Sequence, residues 1–338
     1  MSHNLAVGRT KILFSSLSNK IALYKKVSEA AKRINPDVVV FGGDYDTNCK
    51  GAEEIGDRLF LKMKRLTDYS HESMLDFLRK NGISHVIPSR DGELVFWARF
   101  QAELKSNEVS VMISSEEAVR LLDDKLDFYN RCKDFIIPAI LTTTSLQYIE
   151  EEKYVVKERY GSGSKDIGLN LSTKEAINHS NSLNSPIYQP YLEGREFSAE
   201  TWMDDNSKCR GVVLRWRLKI VNGESHKTTI FKNEKWEELL CKTFERIEGL
   251  RGHCLAQVIV DKNDTLHLVE INPRLGGASP LSLDSGLFSI DWFLLETLNH
   301  KELIPDKTKI TFGKTLIKSQ GKVEILNSED FDDEQHYF

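Results

Sequence analysis

Cysteine is scarce in this sequence and follows no metal-binding spacing. The five cysteines are odd in number, lie far apart and never form a C-x-x-C pair, so we predict neither a disulfide framework nor a zinc site. Reduced thiols in a cytoplasmic protein are the interpretation that we favour, because disulfides persist mainly in oxidising compartments. The cysteines are Cys49, Cys132, Cys209, Cys241 and Cys254.

Long apolar runs are also absent. No segment approaches the roughly 18 consecutive apolar residues of a membrane span, and residues 1–16 hold no apolar region long enough for a signal peptide. The net charge of −5 disfavours nucleic acid as the main partner. We therefore expect small-molecule partners, without a membrane or a nucleic acid.

Several common catalytic signatures are missing as well. The sequence contains no G-x-S-x-G, and no cysteine lies in the context of a nucleophile. The loop Gly161–Ser164 fits neither a Walker A motif nor G-x-G-x-x-G, because Asp166 stands where the third glycine should be. An NAD-dependent dehydrogenase would need that glycine fingerprint.

Alternating strand and helix signals organise the first third of the chain. The strands are predicted at Lys11–Ser15, Asp37–Phe41, His85–Ile87 and Met112-Ile113. Helices are predicted at Ile21–Ile34 and at His71–Asn81, the second ending at Gly82. Such alternation is typical of βαβ units and a parallel sheet.

The rest of the chain predicts an α+β arrangement. Helices are expected at Ser115–Cys132 and Trp236–Ile247, and strands at Lys153–Arg159, Pro186–Tyr191, Glu196–Met203, Cys209–Ile220, Leu255–Val260 and Leu266–Asn272. The last two strands form a hairpin. The acidic segment Ser328–Gln335 is expected to be disordered.

That hairpin carries the sharpest chemical signal. Residues i and i+2 of a strand share a face, so Glu270 and Asn272 point the same way. Folding the hairpin about Asn263 brings Gln257 almost opposite Glu270. Carboxylate and amide oxygens suit Mg²⁺, which water and phosphate complete. A polar solvent face explains the same spacing, and spacing alone does not separate the two.

Three further patterns are weaker. Lys157 ends an apolar strand and precedes a glycine-serine loop whose N–H groups could cradle phosphate, although a surface turn fits equally well. Lys125 lies in a charged run that a solvated helix face explains. Arg274 follows the hairpin and could face a phosphate oxygen.

Polar residues on two other strands complete the candidates. Glu196 could accept hydrogen bonds from sugar hydroxyls, although a surface carboxylate is the favoured interpretation of its spacing. Arg215 and Arg217 share a strand face, which is costly unless they are solvated or matched to anions. A carboxylate-binding role and a surface strand are equally good explanations.

In this order the motifs resemble the ATP-grasp superfamily, and within it the stand-alone relatives of the carbamoyl-phosphate synthase large subunit. The resemblance rests most on E-x-N-P-R, intact as residues 270–274, with Gln257 in place. It implies an α/β and α+β protein, with the ATP-grasp fold following an N-terminal parallel α/β domain (pre-ATP-grasp, Rossmann-like). The implied units are residues 1–114 for that domain, 115–190 for a lid subdomain, 191–310 for a nucleotide and metal subdomain, and 311–338 for a C-terminal strand and acidic tail.

The resemblance also implies roles for particular residues. Phosphate-binding lysines match Lys125 and Lys157, and the lid over the triphosphate matches Gly161, Ser162, Gly163 and Ser164. The adenine-binding hinge matches Gln189, Tyr191 and Leu192, and the ribose-binding acid matches Glu196. The metal ligands match Gln257, Glu270 and Asn272, and the catalytic residues match Lys157 and Arg274, the latter beside the transferred phosphate. Glu158 departs from the pattern, since proline often follows the lysine, and Gln189 stands where glutamate is common.

The implied function is an ATP- and Mg²⁺-dependent (or Mn²⁺-dependent) ligase that activates a carboxylate for attack by an amine. Substrate specificity is expected in the loops Ser16–Lys20 and Asp91–Glu93 and around Arg215 and Arg217. Phosphorylation of a carboxylate or carbamate without ligation, and a non-catalytic nucleotide-binding module, remain alternatives. The expected partners are a small-molecule carboxylate and an amine, and a homodimer is left open.

Overall fold

The structure is a computed structural model that describes residues 10–161, 163, 166–306, 308–319 and 322–327. Ser162 and Ser164 of the predicted lid and the acidic segment 328–335 therefore lie outside the described residues. Within the described ranges, none of the helices combines the length and the hydrophobicity that a membrane span requires. Three sheets organise this part of the chain.

The first sheet is parallel, as the alternating pattern predicts. Its strands are β1 (Lys11–Ser15), β2 (Val39–Asp44), β3 (Phe60–Lys62), β4 (His85–Ile87) and β5 (Ser110–Val111), in the order β3-β2-β1-β4-β5. The accompanying helices are α1 (Ile21–Ile34), α2 (Lys50–Ile55), α3 (His71–Asn81) and α4 (Asp91–Ser106). The last strand lies two residues before the predicted Met112-Ile113, because the apolar run there is buried throughout and gives no period.

The strand order places a topological switch between β1 and β4. The chain runs from β1 outward to β2 and β3, then returns to pair β4 with the other side of β1. The loops after β1 and after β4 therefore leave the same edge of the sheet in opposite directions. In open parallel sheets, a crevice forms outside the carboxyl ends of the strands at such a point.

The middle of the chain forms two helices and a small antiparallel sheet. The predicted single helix Ser115–Cys132 is instead α5 (Glu116–Asp123) and α6 (Lys125–Cys132). Asp124 breaks it, because its carboxylate accepts the backbone N–H groups of Leu126 and Asp127 and so caps α6. The small sheet has the order β7-β6-β8 and contains β6 (Tyr154–Glu158), β7 (Gly168–Leu171) and β8 (Pro186–Pro190), with α7 (Thr173–Ser180) packed against it.

The largest sheet has seven strands in the order β13-β12-β9-β10-β11-β14-β15, each antiparallel to its neighbours. They are β9 (Gly194–Met203), β10 (Cys209–Val221), β11 (Glu224–Phe231), β12 (Gly252–Asp261), β13 (Leu266–Asn272), β14 (Thr315–Ser319) and β15 (Lys322–Leu326). The helices of this part are α8 (Glu234–Phe244), α9 (Ser279–Asp284) and α10 (Ser289–Thr297). The predicted antiparallel strands and the 255–272 hairpin are confirmed.

The apolar core joins the beginning of the chain to its end. Helix α1 packs against α9 and α10. Between α1 and α10, Nε and Nη2 of Arg33 donate to the carboxylate oxygens of Asp291, at 2.9 and 2.8 Å. In a second core, α5 and α6 pack against the seven-stranded sheet. Strands β14 and β15, from the end of the chain, belong to the same sheet. The four predicted units stay predictions, and each of the three bounds between them divides residues that share one core or one sheet.

Two of the five cysteines are paired. Cys209, at the start of β10, is disulfide-bonded to Cys241 in α8, with the Cα atoms 5.4 Å apart. The prediction that the thiols are all reduced is therefore wrong for this pair. The two cysteines are 32 residues apart in the sequence, and nothing in that spacing indicates that they are bonded. Cys49, Cys132 and Cys254 are buried free thiols. The expectation of a cytoplasmic location stays a prediction, without support from uniformly reduced thiols.

Candidate functional site

The hairpin of β12 and β13 has the register predicted for a metal site. Gln257 pairs directly with Glu270, and Asn272 lies two positions further on the same face as Glu270. The three side chains are half-buried rather than part of the apolar core. Nδ2 of Asn272 donates to Oε1 of Glu270 at 2.8 Å, so the two side chains are in direct contact. The register is confirmed, and the role in metal binding remains a prediction.

Lys157 lies on β6 with its side chain turned toward this hairpin. The residue is 8% exposed, and Nζ finds no hydrogen-bond acceptor among the described residues. Burial lowers the pKa of Lys157 to about 8, although the negative charges of Glu270 and Glu196 oppose that shift and the charge of Lys125 adds to it. A buried cation without an acceptor is costly by itself and is well suited to an anionic ligand.

Lys125 occupies the first position of α6 and binds the beginning of the glycine loop. Its Nζ donates to the carbonyl oxygens of Gly161, at 2.7 Å, and Arg159, at 3.3 Å. The Arg159 guanidinium in turn donates to both carboxylate oxygens of Asp124, the residue that caps α6. The helix that carries one lysine is thus tied to the strand that carries the other.

The two glycines of this loop that the structure describes need to be glycine for their backbone conformation. Gly161 has φ 99° and Gly163 has φ 79°, in the left-handed region that other residues seldom adopt. A Cβ atom at either position would meet nothing within 4 Å, so lack of space is not the reason. The conformation agrees with a loop that presents backbone N–H groups.

The predicted adenine hinge follows β8. Gln189 pairs with Val155, two positions from Lys157, and therefore lies on the same sheet face as that lysine. Its Nε2 donates to Oγ1 of Thr142 at 2.8 Å, so the side chain is engaged by the protein. The backbone N–H of Tyr191 donates to the carbonyl oxygen of Lys153 at 2.9 Å, Tyr191 itself is exposed, and Leu192 is half-buried. The hinge assignment remains a prediction.

Glu196, the predicted ribose-binding acid, has a cationic neighbour that the sequence analysis does not pair with it. Nε of Arg217 lies 2.9 Å from Oε1 of Glu196, and Nη2 donates to the carbonyl oxygen of Gly223 at 2.8 Å. Burial raises the pKa of Glu196, and the charge of Arg217 opposes that shift. Arg217 is thus already held by the protein beside the expected nucleotide site.

Arg215 lies in the interior of the sheet and is only 1% exposed. Its Nε and Nη2 donate to Oε1 of Glu200, at 2.9 and 2.6 Å, while Oε2 lies 3.1 Å from Nε2 of His253. Burial acts to raise the pKa of Glu200, but Arg215 and His253 outweigh it and lower the pKa to about 2. Of the two alternatives left open for Arg215, the surface strand is therefore wrong. Its proposed contact with a substrate carboxylate stays a prediction, and Glu200 already fills the corresponding position.

Arg274 connects the hairpin to the N-terminal sheet. Its Nε and Nη2 donate to the two carboxylate oxygens of Asp91, the first residue of α4. Nη1 donates to the carbonyl oxygen of Leu275 at 3.0 Å. Although burial acts to lower it, the charge of Asp91 raises the pKa of Arg274. The sequence places Asp91 only in a specificity loop and does not predict its pairing with Arg274.

One pocket lies between helices α4, α5 and α6, the start of the glycine loop and the end of β13. It has a volume of about 180 Å³ and is lined by Asp91, Lys125, Gly161, Glu270 and Asn272, among others. Asp123, which the sequence analysis does not single out, also lines it, and burial raises its pKa. One side of the pocket is cationic, with Lys125 and nearby Lys157. The other side carries the side-chain oxygens of Glu270 and Asn272.

The candidate metal ligands fit Mg²⁺ that is also bound by phosphate. They do not fit a metal site in which the protein supplies all the ligands. They comprise one carboxylate, Glu270, and two amide oxygens, those of Gln257 and Asn272. Within the described residues, no group of three or more His, Cys, Asp or Glu could hold a metal ion. Mg²⁺ is commonly bound by one or two carboxylates plus substrate phosphates, so the missing ligands would come from a nucleotide.

Comparison with known proteins agrees with this geometry. Residues 122–278 match the family model of the ATP-grasp domain. No curated protein shows significant sequence similarity to the chain.

Solved structures resemble nearly the whole chain. One is the ADP complex of N5-carboxyaminoimidazole synthetase from Staphylococcus aureus, with a TM-score of 0.71 and 15% identity over 94% of this chain and 84% of that one. A second is the biotin carboxylase domain dimer of the Hydrogenobacter thermophilus 2-oxoglutarate carboxylase with MgADP and bicarbonate, with a TM-score of 0.70 and 15% identity over 91% and 73%. A third is an L-amino acid ligase from Bacillus licheniformis, with a TM-score of 0.66 and 14% identity over 92% and 80%. At such identities the similarity shows the fold.

Proposed function

We propose that this chain, whose residues 122–278 match the ATP-grasp domain model, is an ATP- and Mg²⁺-dependent ligase of the ATP-grasp type that joins a carboxylate to an amine. The observation that carries the proposal is the pocket where Lys125, Glu270 and Asn272 meet. Next to it lies the buried Lys157, whose Nζ donates to no acceptor among the described residues. Two cations facing a carboxylate–amide set are suited to a metal-bound triphosphate.

In this proposal the chain binds ATP between the three-stranded and the seven-stranded sheets. Lys125 and Lys157 neutralise the phosphates, Gln189–Leu192 receives the adenine through backbone groups, and Glu196 accepts hydrogen bonds from the ribose. Mg²⁺ would be held by Gln257, Glu270 and Asn272, and when bound it supplies charge neutralisation at the phosphates. For Lys125 to contact phosphate, its present hydrogen bond to Gly161 must be exchanged for one to the nucleotide.

The reaction then has two steps. A substrate carboxylate oxygen attacks the γ-phosphorus, the bond to ADP breaks, and an acyl phosphate forms. The amine next attacks the carbonyl carbon, phosphate leaves with the bonding pair, and the nitrogen loses a proton. Arg274, fixed by Asp91, would stabilise the negative charge on the transferred phosphoryl group.

The solved relatives support each half of this proposal. The synthetase was solved with ADP, the biotin carboxylase domain with MgADP and bicarbonate, and the third protein is itself an amino acid ligase. A homodimer is a further proposal, supported by the dimeric biotin carboxylase domain, and light scattering of the full chain would test it.

The central experiment is a screen for ADP release. Pools of carboxylates are combined with pools of amines, ATP and Mg²⁺, and mass spectrometry identifies the products. We expect ADP, phosphate and an amide in equal amounts. ADP with a stable phosphorylated acid and no amide would instead show phosphorylation without ligation. Nucleotide binding without ADP release from any pool would show a non-catalytic module.

A further inference from the structure

The loops at the topological switch of the N-terminal sheet hold two cations outside the nucleotide pocket. Lys20 ends the loop after β1, and Arg90 ends the loop after β4, which pairs directly with β1. The Ser16 carbonyl oxygen accepts hydrogen bonds from both Nζ of Lys20, at 3.0 Å, and Oγ of Ser89, at 3.0 Å. The two loops are therefore in direct contact at the crevice where open parallel sheets bind ligands.

The carboxylates around these cations are already engaged. Glu93 accepts the backbone N–H groups of Ser89 and Arg90, at 2.7 and 2.9 Å, and also Nε1 of Trp97, at 2.9 Å. Asp44 accepts the backbone N–H of Ser18 at 2.8 Å.

Two further carboxylates nearby have cationic partners. Asp91 is paired with Arg274, and Glu224 lies 2.9 Å from Nζ of Lys318. In the described part of the chain, neither Lys20 nor Arg90 has an ion-pair partner. Lys20 and Arg90 are therefore cations at this crevice that no described carboxylate pairs directly.

The electrostatics of Lys20 agree with this geometry. Burial and the charge of Arg90 lower the pKa of Lys20 to about 8, with a further contribution from Arg274, while Glu93 and Asp44 act in the opposite direction. A partly buried ammonium that lacks an ion-pair partner is stabilised by a bound anion. The loop also holds Ser16 at φ 53° and Ser18 at φ 45°, a conformation that non-glycine residues adopt when the surroundings impose it.

The position relative to the pocket distinguishes this crevice from the phosphate site. Asp91 and Gly92 line the nucleotide pocket, whereas Arg90 and Lys20 do not. Asp91, which lines the pocket and holds Arg274, directly follows Arg90 in the chain. A molecule that reaches from Arg274 to Lys20 would therefore meet a cation at each end.

From this arrangement we infer that the carboxylate substrate has a second anionic group, a carboxylate or a phosphate, which Lys20 and Arg90 bind in the crevice between β1 and β4. The reacting carboxylate then points past Arg274 toward the γ-phosphate. This inference rests on the proposed ligase function for the reaction, but the anion site itself does not depend on turnover.

A labelling experiment tests the anion site without turnover. Full-length protein is treated with limiting acetic anhydride near pH 8, and peptide mass spectrometry follows acetylation of Lys20 and of Lys25, an exposed lysine of the neighbouring helix α1. The added probes are succinate, inorganic phosphate and uncharged succinamide. We expect succinate or phosphate to slow acetylation of Lys20 at least about fivefold, a protection that Arg90→Gln removes, while Lys25 is unaffected. The probe that protects identifies the anionic group, and equal labelling of Lys20 with all three probes would overturn the inference.

A kinetic experiment then links the site to the substrate. Among carboxylates that release ADP, we expect those with a second anionic group to be preferred, and Lys20→Met to raise their KM at least about tenfold, the loss expected for one charge-assisted contact. Lys20→Arg should restore most of the KM, Lys25→Met should match the wild type, and the affinity for MgATP should not change in any of them.

The outcomes separate this inference from the proposed function. Efficient use of singly charged carboxylates, with the same KM in Lys20→Met, would overturn the inference and leave the ligase standing. Protection of Lys20 without ADP release from any carboxylate would overturn the ligase and leave the anion site standing.

Discussion

Two arginine–carboxylate pairs in this protein have the same chemistry in different surroundings. Arg215 and Glu200 lie in neighbouring strands of one sheet, and their side chains are 2% and 0% exposed. Arg274 and Asp91 join two different parts of the chain at the rim of the pocket, and their side chains are 17% and 19% exposed. Glu200 has a further buried partner, His253, whose Nδ1 lies 2.9 Å from Oγ of Ser289.

The difference indicates what each pair contributes. The buried pair cannot exchange its partners for water or a ligand, so its loss leaves an uncompensated charge inside the sheet. The pair at the pocket keeps a guanidinium in place while leaving it within reach of a substrate. We therefore expect the first pair to affect stability and the second to affect turnover.

Replacing Arg215 should give the largest effect on stability. Arg215→Met leaves the Glu200 carboxylate buried, and we expect the free energy of unfolding to fall by about 3–5 kcal/mol. Urea and thermal unfolding measure the loss. The double variant Arg215→Met, Glu200→Gln should recover part of it, because the buried charge is then removed. A loss below about 1 kcal/mol in the single variant would mean that the pair is not a buried structural contact.

Removing the pocket carboxylate should act on turnover instead. Glu270→Ala deletes the only carboxylate of the predicted metal set, and we expect kcat to fall at least about 10²–10³-fold, the scale of a lost electrostatic contact in a transition state. Its unfolding free energy should stay within about 0.5 kcal/mol of wild type, because the side chain is outside the apolar core. Wild-type ADP release by Glu270→Ala with Mg²⁺ would refute the metal assignment.

Lys157 should affect nucleotide binding more than the fold. Lys157→Met keeps the apolar stem and removes the charge, so we expect the affinity for MgATP to fall by about 1.5–3 kcal/mol. Isothermal titration calorimetry measures it, and Lys174→Met, an exposed lysine of α7, is the matched control. Unchanged affinity in Lys157→Met would remove this lysine from the phosphate site.

The lowered pKa of Lys157 predicts a pH dependence of the same binding. The amine is protonated below its folded-state pKa of about 8 and loses its charge above it. Affinity for MgATP should therefore be highest below pH 8 and decline above it, by up to about tenfold per pH unit. The free protein responds in the opposite direction. Because the unfolded chain keeps the proton up to the ordinary lysine pKa of 10.5, Lys157 makes the fold more stable as pH rises from about 8 toward 10.5. Both trends should be absent in Lys157→Met.

Asp91→Asn should have the smallest effect and would sharpen the contrast between the two pairs. The amide introduced by this substitution could still accept one hydrogen bond from Arg274, so we expect kcat/KM to fall by about fivefold, or roughly 1 kcal/mol, with little change in unfolding. Steady-state kinetics and a thermal melt measure the two effects. A large loss of stability with unchanged turnover would show that the pocket pair behaves like the buried one.

The sequence alone determined the local parts of this protein. The helices α1 and α3 have the predicted bounds because each has a regular apolar period, and Gly82 marks the end of α3. The strands β1 and β4 have the predicted bounds because each is a short buried run, and Pro88 follows the second. The pairing of Gln257 with Glu270 was predictable for the same reason, since one short turn fixes the register of a hairpin. These features depend on residues that are near one another in the chain.

The tertiary structure decided the contacts between distant parts. Asp91 meets Arg274 across 183 residues, and only the packing of the N-terminal sheet against the β12–β13 hairpin brings them together. Arg215 and Arg217 look alike in sequence, but they have different partners on the neighbouring strand. Arg215 pairs with Glu200 in the interior of the sheet, and Arg217 pairs with the more exposed Glu196. The Cys209–Cys241 bond likewise depends on how α8 packs on β10. The identity of a charged residue or a cysteine does not indicate its partner, because the fold and not the spacing along the chain decides which side chains meet.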